Sequence, residues 1–303
     1  MVVLRFNPEI IKLLNCSFSL KKNILAACSS NGKLIIFDTN LNQKIPRIFQ
    51  LHKTEILRSF FSNKAFVTAS LDRTCSLWNI DKMEKIRMLR MFSSGGIDID
   101  MLDDMILTLE ISGNLILWDR RIAQPLNLFH SGIPTQNCRF FGNFEKILTC
   151  SAFSEFYLWD LRYKRKPLSI FSIAKSKTEV SSFSISKSFF FCLCKNGQVS
   201  RFSLNFDKFS LGYKKIKISC FKTVNKSCNF VSISTDFLGE FFAYGNSRGE
   251  SLIRSQKTCK LLKKFNVHDG NVNCVAFNNN NRLIATCGDD GSLIINHMKK
   301  KNV

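Results

Sequence analysis

An all-β fold of seven repeated sheets is predicted by three observations. First, an apolar strand, a turn carrying a single glycine, and an apolar run ending in Trp-Asp recur in register along the chain. The aromatic slot of this pattern reads Phe37, Trp78, Trp118, Trp159, Phe202, Arg254 and Asn296, in steps of 41, 40, 41, 43, 52 and 42 residues. Second, each copy divides into short alternating or fully apolar runs; the second copy gives "EILRSFF", "AFVTAS", "CSLWNI" and "KIRMLRM". Third, 45% of the 303 residues are hydrophobic, with only 5 prolines and 14 glycines, which supplies a large core and excludes a collagen-like or long disordered chain. A period of about 40–45 residues is that of a four-stranded blade, so the repeats predict a seven-bladed β-propeller of antiparallel blades.

The elements follow in order. "VVLRF" (Val2–Phe6) is strand-like and precedes the first full copy. The third strands then read "SSNGKLIIFD" to Asp38, "SLDRTCSLWN" to Asn79, "EISGNLILWD" to Asp119 and "SAFSEFYLWD" to Asp160. Weaker copies are "CKNGQVSRFS" to Ser203, "NSRGESLIRS" to Ser255 and "GDDGSLIINH" to His297. In the third copy, Leu115 and Leu117 alternate with Ile116 to cover both faces of a buried strand, Trp118 packs between blades and Asp119 ends the strand. The seventh copy stops after its third strand, so Val2–Phe6 is expected to supply that blade's fourth strand and close the ring. A lone blade cannot bury both faces; stacking around an axis does so and leaves only short edges. A single propeller domain over residues 1–303 is expected, with no secretory leader and no membrane-spanning run.

The recurring Trp-Asp pairs resemble those of the WD-repeat (WD40) family across essentially the whole chain. In that family a blade is held by a His before its first strand, a Ser or Thr on the second, an Asp in the next turn and the Trp on the third. The resemblance assigns these roles in the second copy to His52, Ser70, Asp72 and Trp78. His130 and His268 also precede first strands, so repeat position accounts for three of the four histidines and a catalytic or metal-ligand role is disfavoured. The seventh copy keeps His268 and Asp290 but has Asn296 in the Trp slot, which implies an incomplete set.

No phosphate-binding loop, nucleophile elbow, zinc-protease helix or calcium loop is present. Asp289 and Asp290 in "GDDG" read as turn-capping carboxylates. We therefore expect no catalysis, no cofactor, no metal and no small-molecule substrate. The 12 cysteines lie mostly within apolar runs without C-x-x-C pairing, which predicts free buried thiols in a reducing compartment.

The net charge of +21 favours anionic partners, RNA or acidic protein surfaces. The Lys-, Asn- and Phe-rich composition is also what A/T-rich codons produce, so the charge has two candidate sources. Basic residues cluster after the fourth Trp-Asp (Arg162, Lys164, Arg165, Lys166), in the long fifth-to-sixth connection (Lys208, Lys214, Lys215, Lys217, Lys222) and at Lys263, Lys264 and Lys299 to Lys301. The connection's "KIKISCF" reads as an outer strand, with aromatic–basic RNA contact as the alternative. Arg120, Arg121 and Arg162 sit where third strands meet solvent. With Lys164, Arg165 and Lys166 they are the candidate partner-binding residues.

The WD-repeat resemblance implies a scaffold held by larger protein subunits of a multiprotein complex. "ILWDRR" and "YLWDLR", with the longer fifth-to-sixth connection, are similar to the WD-repeat subunits of spliceosomal ribonucleoproteins. This implies pre-mRNA splicing, the nucleus and at most indirect or electrostatic RNA contact. Two alternatives stay open: a cytoplasmic translation initiation factor subunit, whose last blade also lacks Trp, and a cullin ubiquitin ligase substrate receptor, which carries Trp-Asp-x-Arg on two successive blades.

Overall fold

The computed structural model describes residues 2–6, 11–19, 22–39, 45–62, 65–79, 82, 84–90, 93–122, 124–130, 132–141, 145–151, 153–162, 166–172, 179–186, 189–203, 219–222, 230–236, 238–278 and 283–298. Within them the chain forms seven four-stranded antiparallel sheets arranged as a propeller. In blades one to six the four strands follow chain order from the inside out. Blade two is typical: Ile56–Phe61, Phe66–Ser70, Thr74–Trp78 and Lys85–Arg90. The first strands of successive blades neighbour one another all the way round and form the inner ring. The fourth strands are outermost and mostly exposed.

The seventh blade is composite. Val272–Phe277, Leu283–Gly288 and Ser292–His297 supply three strands, and Val2–Arg5 supplies the fourth. The register runs from Val2 opposite Ile295 to Arg5 opposite Ser292. Phe6 N–H continues the join by donating to Gly291 O at 3.0 Å. The N-terminal strand therefore closes the ring as its sequence predicts.

Second and third strands are apolar on both faces because each face packs on a different neighbour. Ile116 and Trp118 lie in the cluster shared by blades two and three, whereas Leu115 and Leu117 join Tyr157 and Trp159 in the next one. Similar clusters fill the five other interfaces, and Val2, Leu4 and Phe6 pack against the one between blades seven and one. Burial of a large apolar side chain contributes roughly 1.5–3 kcal/mol, so seven such seams dominate the fold's stability. The ten cysteines whose side chains are described are unbridged; nine are buried and Cys259 is partly so. Burial pushes the Cys28 thiol up to about 12, which keeps it in the inert thiol form.

The glycine of the repeat has a steric cause. Gly32 and Gly249 have φ of +75° and +77°, and a Cβ on either would meet the carbonyl oxygen of His52 or His268 at 2.2 or 1.8 Å. The loop to the next blade lies directly on the turn, with the N–H groups of both histidines donating to these glycine carbonyls. Glycine thus seats the histidine of the following blade.

Candidate functional site

Three features could carry function: the polar chain inside blades two and seven, the polar inner ring, and the arginines after Trp-Asp.

In blade two, the Trp78 indole N–H donates to Thr68 Oγ1 at 2.9 Å. Thr68 Oγ1 is 2.8 Å from His52 Nε2, and His52 Nδ1 is 2.9 Å from Asp72 Oδ2. The indole can only donate, so the Thr68 hydroxyl accepts from it and is free to give its own proton to His52 Nε2. That leaves His52 neutral with its proton on Nδ1, directed at the carboxylate. Burial agrees, lowering the His52 pKa from the ordinary histidine value against the opposing pull of Asp72. Asp72 Oδ1 caps the turn, accepting from Thr74 N–H at 3.0 Å and Thr74 O–H at 2.6 Å.

The hydroxyl in this chain is Thr68, not Ser70. Both residues point to the same face of one strand, so residue type and alternation do not separate them. Register does. Trp78 pairs with Phe66, and Thr68 is the diagonal neighbour that its indole reaches. Ser70 lies two residues, roughly 7 Å, further toward the turn, where it donates to Glu55 O at 2.8 Å. Replacing Thr68 by Val leaves a buried N–H and a buried ring nitrogen unpartnered. We expect about 2–4 kcal/mol of destabilisation in urea titration, against about 1 kcal/mol for Ser70→Ala. Equal losses would return the role to Ser70.

The same diagonal recurs. Trp118 donates to Thr108 at 2.9 Å and Trp159 to Thr149 at 3.0 Å. Blade six keeps the geometry with other residues: Arg254 Nε donates to Tyr244 Oη at 2.9 Å. Blade seven keeps His268 with Thr286 and Asp290, both at 2.9 Å, while buried Asn296 is too short to complete the chain and its Nδ2 has no hydrogen-bond partner. Asp289 and Asp290 go separate ways: Asp290 accepts from Ser292 N–H, and Asp289 from Asn271 and Asn273. His130 departs from the expectation. It ends the exposed outer strand of blade three, where its Nδ1 lies 2.7 Å from Asn114 Oδ1. Blade three instead buries Glu110, which accepts from Ser93, Ser112 and Asn114.

The inner ring holds a network that the sequence reading missed. Every blade has a register shift near the start of its first strand. In blades one to four the residue that resumes pairing is polar or charged: Asn15, Arg58, Asp98, Asn137. Asn15, Arg58 and Asp98 reach across to the next blade, and Asn137 Nδ2 reaches back to Asp98 Oδ2 at 3.4 Å. Asn15 Oδ1 accepts from Ser59 N–H at 3.0 Å, and Asp98 Oδ2 accepts from Cys138 N–H at 2.9 Å and from Arg139 Nη1 at 2.7 Å. Arg58 Nε stands 3.4 Å from Asp98 Oδ1. Asp100 Oδ2 accepts from Phe140 N–H at 2.8 Å. An inner strand has one backbone edge without a sheet partner, and the preceding blade's carboxylates satisfy part of it. The only sequence signal is a charge set among apolar residues in "RSFF", "IDID" and "NCRF".

Burial raises the Asp100 pKa to about 6, opposed by Arg139 and the Phe140 amide and reinforced by Asp98. A pKa raised on folding means that the folded state binds more protons between the unfolded value, about 4, and the folded one. Stability from this group is therefore present at low pH and lost as pH rises through that window. At about 1.4 kcal/mol per unit, Asp100→Asn should gain about 3 kcal/mol relative to wild type between about pH 4 and pH 7. A pH-independent difference in urea unfolding would contradict this.

Arg121 and Arg162 end their Trp-Asp segments identically. Arg121 forks onto Asp119, Nε to Oδ1 at 2.9 Å and Nη2 to Oδ2 at 2.5 Å; Arg162 does so on Asp160 at 3.0 and 2.7 Å. The Arg121 hydrogen bonds hold the Asp119 carboxyl down at about 2. The carboxylates are buried while the arginine side chains stay 66% and 61% exposed, so each guanidinium is fixed in direction yet open to a partner. Arg120 turns aside to pair with Asp104 and is less exposed. Lys166 is exposed. Lys164, Arg165, Lys208, Lys214, Lys215, Lys217 and Lys299 to Lys301 lie outside the described residues. Of the predicted outer strand "KIKISCF", the last three residues fall in the strand Ser219–Lys222 of blade five, and its first four lie outside the described residues.

Seven four-stranded blades, four of them with a Trp–Thr or His–Thr link among the described residues, define a propeller built of one repeated unit. The family model for the WD domain, G-beta repeat, matches residues 259–295, which run from the end of blade six through blade seven. The chain folds as a seven-bladed β-propeller, and the repeat model matches one of its repeats, from the outer strand of blade six into blade seven. No curated protein matches it. The matched blade has Asn296 in the Trp slot and keeps the contacts of His268 with Thr286, Asp290 and Ser292.

Proposed function

We propose that this propeller is a non-catalytic scaffold subunit of a spliceosomal ribonucleoprotein, acting in the nucleus. WD-repeat propellers are typically protein-interaction scaffolds, and that much follows from the fold. The finer reading rests on likeness to the WD-repeat subunit of the U-five spliceosomal small nuclear ribonucleoprotein. The observation that carries it is the paired Trp-Asp-x-Arg on adjacent blades three and four, with Arg121 and Arg162 held open to solvent. A chain of net charge +21 suits a ribonucleoprotein setting, where the phosphate field attracts basic surfaces even without base contacts. The test is affinity purification of the tagged full chain, with identification of co-purifying proteins and RNAs. Spliceosomal RNA and proteins support the reading. A cullin adaptor, which the same paired motif favours, or initiation-factor subunits in the cytoplasm would overturn it.

A further inference from the structure

At the rim between blades one and two, a groove of about 490 Å³ opens beside the His52 chain. Its floor is rigid, because His52, Asp72 and Thr74 are tied to one another. Its walls carry Lys53, Lys85 and Arg90, all exposed, together with Leu51 and the 43% exposed Met88. Among the described residues none of the three cations has a carboxylate within ion-pair distance. The one carboxylate in the lining, Asp72, is occupied by His52, Thr74 and Lys53 N–H. Lys85 Nζ is held 5.1 Å over the Trp78 ring, which places its charge at the groove's edge.

We propose that this groove docks a short acidic segment of a partner protein, with carboxylates on Lys53, Lys85 and Arg90 and one apolar side chain against Met88 and Leu51. Three unpaired cations around an apolar patch are complementary to that composition, and the volume falls in the range of small-ligand sites, roughly 300–1,000 Å³. The edge of the outer strand Lys85–Arg90 offers its free backbone groups to an extended chain. Nucleic acid fits less well: the only ring in the lining is buried His52, and Lys85 covers Trp78, so no open aromatic face is offered to a base. The inference does not rest on the splicing assignment.

The test is fluorescence anisotropy with the full chain and a labelled glutamate-rich peptide carrying one central leucine. Lys85→Glu with Arg90→Glu should weaken binding about tenfold or more, while the same charge change at exposed Lys257→Glu with Lys260→Glu on blade six should stay within about twofold. Changing the peptide leucine to serine, or Met88 to Ser, should cost about fivefold. Should the Lys85/Arg90 variant not fold, Lys53→Ala, a fully exposed change, should still weaken binding about threefold. Equal loss at both charge pairs would mean bulk attraction and overturn the site. So would no measurable binding, or tighter binding of an oligouridylate with the same Lys85 and Arg90 dependence.

Discussion

Removal of residues 1–6 is expected to lower the melting temperature by about 10 °C or more and to promote aggregation. Val2–Arg5 contributes the whole outer strand of blade seven, and Val2, Leu4 and Phe6 pack on the seam between blades seven and one. Their partial burial contributes on the order of 4 kcal/mol, and a chain of this size loses roughly 2–4 °C per kcal/mol. The deletion also bares Ser292–His297 as a new edge, whose unpaired backbone groups template association with other chains. Blade seven also carries a buried Asn296 Nδ2 without a hydrogen-bond partner in its Trp slot. Scanning calorimetry decides the matter, and an unchanged melting temperature would mean that the ring does not depend on the clasp.

The second large effect is expected at Asp98. This carboxylate is fully buried on the first strand of blade three and binds groups from blades two and four at once. Asp98→Ala would leave the Cys138 N–H without its acceptor and would remove the carboxylate that pairs with Arg139 and Arg58. Removing one member of a buried ion pair costs about 3–5 kcal/mol, because the remaining charge stays desolvated. At roughly 2–4 °C per kcal/mol, that corresponds to a fall of about 6–20 °C in melting temperature. Asp98→Asn keeps an acceptor for the amide but not the charge, so it should lie between wild type and Asp98→Ala. Wild-type stability in both variants would show that the inner network contributes nothing.

The repeat was legible because its signals are spaced: a tight turn, glycine in five of the seven copies, an apolar third strand and a slot that is aromatic in the first five copies, about every 40 residues. Ring closure was legible because Val2–Phe6 is a strand with no partner in its own copy. The hydroxyl of blade two was not, since Thr68 and Ser70 share a face and only the register to Trp78 separates them. His130 misled because a histidine just before a first strand can belong to the end of the preceding outer strand. Arg254 with Tyr244 preserves the Trp–Thr geometry through unlike residue types, which a residue pattern cannot reveal. The inner ring was hidden for a different reason. Its charges face the next blade, and their partners lie about 40 residues away, beyond any local periodicity.

The central claim is that Trp-Asp-x-Arg is framework up to its aspartate and contact surface at its arginine. The direct measurement compares proteins co-purifying with wild type and with Arg121→Ala combined with Arg162→Ala, alongside their melting curves. The two arginines are largely exposed, so the fold should persist, with a melting temperature lowered by loss of the forks onto buried Asp119 and Asp160, while at least one partner is lost. Retention of every partner by the folded double variant would contradict the account.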